Sequence, residues 1–120
     1  SINNQSVVFR VLFGNTRFLF MGDAEQKVEN EILEKQLMIE ADIIKLGHHG
    51  SSTTSSRSFI SKVNPKMAII SVGKNNRYTT PSELLIRLLF LEDVTVFRTD
   101  INKSLIFQSN GKSIKAISWR

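Results

Sequence analysis

Three short apolar runs, TRFLFM at 16–21, ADIIKL at 41–46 and MAIISV at 67–72, do most to limit how this chain can fold. Each ends abruptly at a polar cluster, and helical spacing follows before the next run begins. Apolar runs of this length, bounded by Gly, Asn or Pro, read as strands. Strands alternating with helices read as α/β, with crossover connections in a sheet that is parallel at its centre. The run SVVFRVLF at 6–13 precedes the first of them across Gly14-Asn15. That two-residue link suits a β-hairpin because Gly14 is free to take positive φ.

The remaining elements follow from periodicity and capping. A helix is expected over 24–37, with Val28, Ile32, Leu33 and Leu37 on one face and Glu25 in the first turn, where the helix dipole favours it. A short helix is expected over 58–63, ended by Pro65. A third starts at Pro81 with Thr80 as its N-cap and Leu84, Leu85, Leu88 and Leu91 on its apolar side. Strands follow over 94–98, 104–108 and 113–118, the last two turning at Asn110-Gly111. The order is ββ-α-β-α-β-α-βββ, an α/β domain over 1–120 with a mixed sheet and flanking helices.

Composition bounds the partners and the chemistry. With 41% hydrophobic and 22% charged residues, the 120-residue chain can build one core and is not disordered. No apolar run is long enough to span a bilayer, and the polar start Ser1-Ile2-Asn3-Asn4-Gln5 is not a signal peptide. A piece cut from a longer membrane protein has the same appearance. The absence of cysteine excludes disulfides and thiolate metal sites, so nitrogen and oxygen must hold any metal. A net charge of +5 favours an anionic partner such as nucleic acid, a phosphate ester or a membrane surface. The bases, Lys45 among them, are dispersed and read mostly as solvated surface.

Three polar clusters lie just beyond strand ends: Asp23, His48-His49, and Asn75-Asn76-Arg77. In α/β sheets that edge is where ligand sites collect. Asp23 can ligate a metal through oxygen; its structural reading is an N-cap, in a capping box with Gln26. His48 and His49 are the only histidines, set between Gly47 and Gly50. Imidazole is both a zinc ligand and a general acid or base, and the glycines allow a sharp turn that aims the rings differently. Glu25 can reach the same cleft from the first helical turn. Lys74, Asn76, Arg77 and Tyr78 form a loop able to grip a phosphate backbone or stack on a base. Ser51 beside His49 lacks a nucleophile elbow, and a serine triad is rejected.

The segments GDAE (22–25), ADIIKLGHHGSSTTSS (41–56), NPKMAIISVGKNNRY (64–78), TPSELLIRL (80–88) and VFRTD (96–100) together resemble the metallo-β-lactamase domain of ComEC-type DNA-uptake proteins. The resemblance runs in order over nearly the whole chain. It implies half of an αββα sandwich, with a two-metal site at the sheet edges between the layers. It further implies that Asp23 is a carboxylate bridging two zinc or manganese ions and that one of His48 and His49 is a ligand. His49 is the favoured ligand, leaving His48, with Glu25, for proton transfer. The His-x-His-x-Asp-His motif of the resembled domains is absent here, as is the His that precedes their GD strand. Thr79-Thr80-Pro81 stands where many have Gly-His-Pro.

The expectation is therefore a fragment of a metal-dependent phosphodiesterase acting on DNA during uptake. As a fragment it should be inactive and metal-free or weakly metal-binding by itself. Its expected partners are DNA, the missing N-terminal half of the domain, and a second copy of the fragment. The implied location is an extracytoplasmic domain of a bacterial membrane protein, with the cytoplasm as the alternative. A non-catalytic binding module and a hydrolase of another ester are the competing functions.

Overall fold

The hairpin written into Gly14-Asn15 forms as expected: β1 (Phe9–Phe13) pairs antiparallel with β2 (Thr16–Phe20), and Gly14 takes φ 58°. The computed structural model describes residues 2–76 and 80–117. From β2 onward the sheet is parallel, through β3 (Ile43–Lys45), β4 (Met67–Ile70) and β5 (Thr95–Arg98), in the order β1-β2-β3-β4-β5. The mixed α/β sheet is thus the observed architecture. Helices α1 (Gln26–Glu34), α2 (Arg57–Val63) and α3 (Glu83–Leu91) make the crossovers. A short helix α4 (Thr99–Asn102), which periodicity did not signal, follows β5.

Strand alternation decides which side of the sheet becomes the core. Leu19, Ile44, Ala68 and Ile70 are buried together with Ile32 of α1, Phe59, Ile60 and Val63 of α2, and Leu85 and Leu89 of α3. Burying a side chain such as Phe59 or Leu89 stabilises by roughly 1.5–3 kcal/mol. The opposite face carries Phe9, Val11 and Phe13 of β1, with Phe18 and Phe20 of β2 in register beside them. The hairpin of β6 (Ile106–Ser109) and β7 (Ile114–Ile117) forms its own two-stranded sheet and covers part of this second face. Phe107 meets Phe97 edge-on at 5.1 Å, the Thr16 hydroxyl hydrogen-bonds that of Ser109 at 2.7 Å, and the Asn15 amide donates to the Gly111 carbonyl.

Several boundaries differ from expectation for local reasons. Helix α1 is shorter than 24–37, and Leu37 lies beyond it, 49% exposed. Its N-cap is Glu25, without a side-chain cap bond, so Asp23 is not the capping residue. Helix α3 begins later than Pro81: the Ser82 hydroxyl accepts from the Leu85 amide, and Ser82, not Thr80, is the cap. Its buried side is Leu85 and Leu89, while Leu84 and Leu91 are 75% and 70% exposed. The last hairpin closes with the Asn110 amide donating to the Ser113 carbonyl, which puts Gly111-Lys112, not Asn110-Gly111, at the centre of the turn.

Candidate functional site

Because β2 to β5 run parallel, their C-terminal ends share one edge of the sheet. The chain leaves that edge through Gly22-Asp23, Gly47-His48-His49, Ser71-Val72 and Thr99-Asp100. Two backbone bonds stitch the first two turns together at the edge: Met21 N–H donates to the Lys45 carbonyl and His48 N–H to the Gly22 carbonyl. A Cβ on Gly47 would lie 2.5 Å from the Ala24 carbonyl oxygen, so only glycine permits this approach.

The glycines were expected to supply the sharp turn around the histidines. Gly50 does take φ 74°, but the histidines bend further themselves. His48 (φ 46°, ψ 45°) and His49 (φ 55°, ψ 29°) both occupy the left-handed region within a single 3-10 turn over Gly47–Gly50. Two consecutive non-glycine residues there are strained, and such strain concentrates at functional sites. The effect is to send the two rings in different directions, with planes 57° apart.

Each ring faces a carboxylate from the other turn. His49 Nε2 lies 3.9 Å from Asp23 Oδ1, and His48 Nδ1 lies 3.9 Å from Glu25 Oε2. The second nitrogen of His49, Nδ1, sits 2.6 Å from the Ser71 carbonyl oxygen. A carbonyl only accepts, so Nδ1 carries the proton in the neutral ring and the Nε2 lone pair points at Asp23. The buried Nδ1 of His48 has no hydrogen-bond partner among the described residues. Strand β4 is held where His49 needs it by Thr99, whose hydroxyl accepts from the Val72 amide at 2.8 Å and donates to the Val72 carbonyl at 2.9 Å.

The 3.9 Å between the Nε2 lone pair and the carboxylate oxygen is somewhat wider than two ligands of one tetrahedral zinc-like ion, whose bonds are each about 2.0–2.2 Å, so a bound ion would draw the two donors together. The donor set is incomplete, however. Among the described residues, no three His, Asp or Glu side chains converge on one point. Asp23 and His49 are the two side chains of this edge that could hold part of a metal's coordination shell.

Two features at this edge were missed in the sequence. Lys45, read as surface charge, is partly buried at the end of β3; burial pulls its pKa below the ordinary lysine value, and the Asp23 charge partly restores it. Its signal was a lone cation inside the apolar run ADIIKL. Glu29 of α1, 1% exposed, accepts from the amides of Ser55 and Ser56. Thr54, next in the same loop, donates to the Gly47 and Ser51 carbonyls, which fastens the histidine turn to the helix. No periodicity argument marks either role.

The expected substrate loop is only partly in view. Asn76 lines a cleft of about 410 Å³ with His49, Ser71 and Thr99. Its amide is engaged within the loop, Nδ2 donating to the Thr80 carbonyl at 2.7 Å and Oδ1 accepting from the Thr80 amide and hydroxyl. Lys74 is exposed beside Asn75. Arg77 and Tyr78 lie outside the described residues.

The fold and edge define an α/β unit with a paired acid–histidine corner beyond the parallel strands. Its relatives are specific. Over 108 residues it is 39% identical to ComE operon protein 3 of Bacillus subtilis (strain 168), a match covering 90% of this chain and 14% of that protein. Over 115 residues it is 33% identical to competence protein ComA of Neisseria gonorrhoeae, covering 95% of the chain and 17% of that protein. Recombination protein 2 of Haemophilus influenzae is 39% identical over 79 residues, 66% of the chain and 10% of that protein. No family model matches the chain. The chain is a homologue of ComEC-type competence proteins and spans less than a fifth of the length of these relatives.

Proposed function

We propose that this chain is the part of a metallo-β-lactamase-type hydrolase domain that carries Asp23 and His49, and that the complete domain cleaves phosphodiesters of DNA during DNA uptake. The observation that carries this reading is the 3.9 Å approach of His49 Nε2 to Asp23 Oδ1 on the ligand-binding edge of the sheet. Relationship to competence proteins supports DNA as the substrate, and the +5 charge agrees with it. A divalent zinc or manganese pair, when bound, would polarise a phosphoryl oxygen and supply hydroxide near neutral pH. The protein's own part is to hold donors in place. Ser71 orients His49, Glu25 is the acid paired with His48, and His48 Nδ1 is available to take or give a proton. The remaining ligands would come from the N-terminal half of the domain, docked on the sheet face that carries Phe9 and Val11. In this reading the domain belongs to a membrane protein and works outside the cytoplasm. Among the described residues, no helix of this chain is long and apolar enough to cross a membrane.

The test uses the longer protein containing this segment, with manganese or zinc, on single- and double-stranded DNA. Cleavage should occur and should disappear in His49→Ala and Asp23→Asn. Activity that survives both substitutions sinks the ligand assignment. Absence of a His-x-His-x-Asp-His segment upstream favours the second reading, a non-catalytic binding module. That reading draws on Thr80, which stands where many of the resembled domains have histidine and whose hydroxyl is bound to Asn76.

A further inference from the structure

The register of the sheet places Phe9, Phe20, Lys45, Ile69 and Phe97 in one row across all five strands. Four of the five are apolar. Lys45 stands at the centre of the row, as the last residue of β3, with Leu46 alone between it and the Gly47-His48-His49 turn. A cation at such a position is costly to desolvate, and structures keep one only where an anion compensates it. Several other basic side chains have carboxylate partners: Arg98 is held at 2.7 and 3.0 Å by Asp100, Arg17 by Asp42 at 3.3 Å and Lys62 by Glu40 at 3.3 Å. Lys45 has no carboxylate within ion-pair distance among the described residues. Among the described residues its Nζ donates to the neighbouring Leu46 carbonyl, at 3.2 Å. The charge that partly offsets its burial is that of Asp23, at the candidate metal corner.

We propose that Lys45 is a substrate-binding residue whose ammonium grips a non-bridging phosphate oxygen of a phosphodiester beside the Asp23–His49 corner. This rests on the phosphodiester reading above and names the group that recognises the substrate's charge. The geometry suits the role. Lys45 stands within the apolar row, and its Nζ is at the Leu46 carbonyl, by the strand end where the substrate would enter. An ammonium is a compact point charge with three donors, which serves a phosphate whose exact orientation is set by other groups.

The test measures binding by the 120-residue chain in the presence of a chelator, so that metal chemistry is silent. The probe is a fluorescein-labelled oligothymidine, followed by anisotropy across a salt series. Lys45→Gln should weaken binding by about tenfold and flatten the salt dependence by about 0.7 in log–log slope, one phosphate contact on a single strand. Lys45→Arg should retain most of the affinity, and the control Lys35→Gln, at an exposed position just after α1, should leave it nearly unchanged. Equal binding by native and Lys45→Gln chains overturns the proposal, as does an equal loss in Lys35→Gln or no detectable binding by the native chain. Should Lys45→Gln fail to fold, the native chain with isotopically methylated lysines gives the answer. The Lys45 signal should move on adding the oligonucleotide, and a signal that stays in place overturns the proposal. The outcome is separable from that of the cleavage test. Loss of binding in Lys45→Gln without cleavage by the longer protein keeps the anion contact and removes the hydrolase; cleavage with unchanged binding removes Lys45 alone.

Discussion

His49 presents Nε2 to Oδ1 of Asp23 across 3.9 Å, and the 2.6 Å bond between its Nδ1 and the Ser71 carbonyl holds the ring in that pose. The proposed function makes His49 the ligand of the two adjacent histidines, and its hold by Ser71 is what distinguishes it from His48. Zinc titrated into the chain should bind weakly, because two donors are fewer than a stable site needs. His49→Ala and Asp23→Asn should each lower even that affinity by at least about tenfold, whereas His48→Ala should change it less. Isothermal calorimetry decides it. A larger loss in His48→Ala than in His49→Ala would exchange the two assignments.

Burial of Glu29 gives the fold a pH dependence that can be read without any substrate. Desolvation raises its carboxyl pKa above the ordinary value of 4.5, outweighing the hydrogen bonds from Ser56 and Ser55. The folded chain therefore holds this proton more tightly than the unfolded chain does. The stability it contributes is fully present below 4.5 and is lost as pH rises through the folded pKa. Asp100 works in the opposite sense in a lower window: the Arg98 hydrogen bonds depress its pKa, so its contribution is present above 3.8 and lost as pH falls. Thermal melts above pH 4.5 should show stability declining with pH in the native chain, and Glu29→Gln should flatten that decline. An identical slope in both proteins would remove Glu29 as its source.

What could be read in the sequence was whatever local chemistry dictates. Gly14-Asn15 specified its hairpin, and the runs ending at Met21, Leu46 and Val72 specified strands whose ends share an edge. The errors arose where distant groups decide. Asp23 to Gln26 satisfies a capping pattern, yet the Asp23 amide bonds Ser6 and the first turn of α1 starts after Glu25. Thr80 looked like a cap because it precedes Pro81, but Asn76 takes its amide and hydroxyl. Lys45 counted as surface charge because nothing local reveals that Phe20 and Ile69 stand on either side of it. The acid–histidine pairs needed two turns twenty-odd residues apart to meet, and only the parallel register of β2 and β3 brings them together.

The partly open sheet face should make the isolated chain self-associate. Phe9, Val11 and Phe13 are 50%, 40% and 55% exposed along β1, which is also an edge strand. Contiguous apolar surface on an unpaired edge favours association with a second copy when no other partner covers it. Sedimentation velocity should therefore report a concentration-dependent dimer. Val11→Lys, which places a charge on that face, should return the chain to monomer without lowering its melting temperature. A native chain that is monomeric at all concentrations would show that the hairpin β6–β7 covers the face well enough alone.

The contact between Gly47 and Ala24 offers a way to separate the two halves of the site without touching any candidate ligand. Gly47 is buried, and a methyl there would meet the Ala24 carbonyl oxygen at 2.5 Å and the Met21 Cβ at 3.4 Å. The carbonyl belongs to the turn that carries Asp23, and the next residue after Gly47 donates its amide to Gly22. Neither backbone can yield independently of the other, so Gly47→Ala must push the histidine turn away from the carboxylate turn. Overpacking of this kind costs roughly 1–3 kcal/mol. Gly73→Ala is the matched control, since a methyl there meets nothing within 4 Å and the backbone is not left-handed. Urea denaturation should show the loss in Gly47→Ala alone, and zinc affinity should fall in parallel because His49 Nε2 and Asp23 Oδ1 no longer face each other. A destabilised Gly47→Ala chain with unchanged zinc affinity would mean that the metal is held somewhere other than between these two residues.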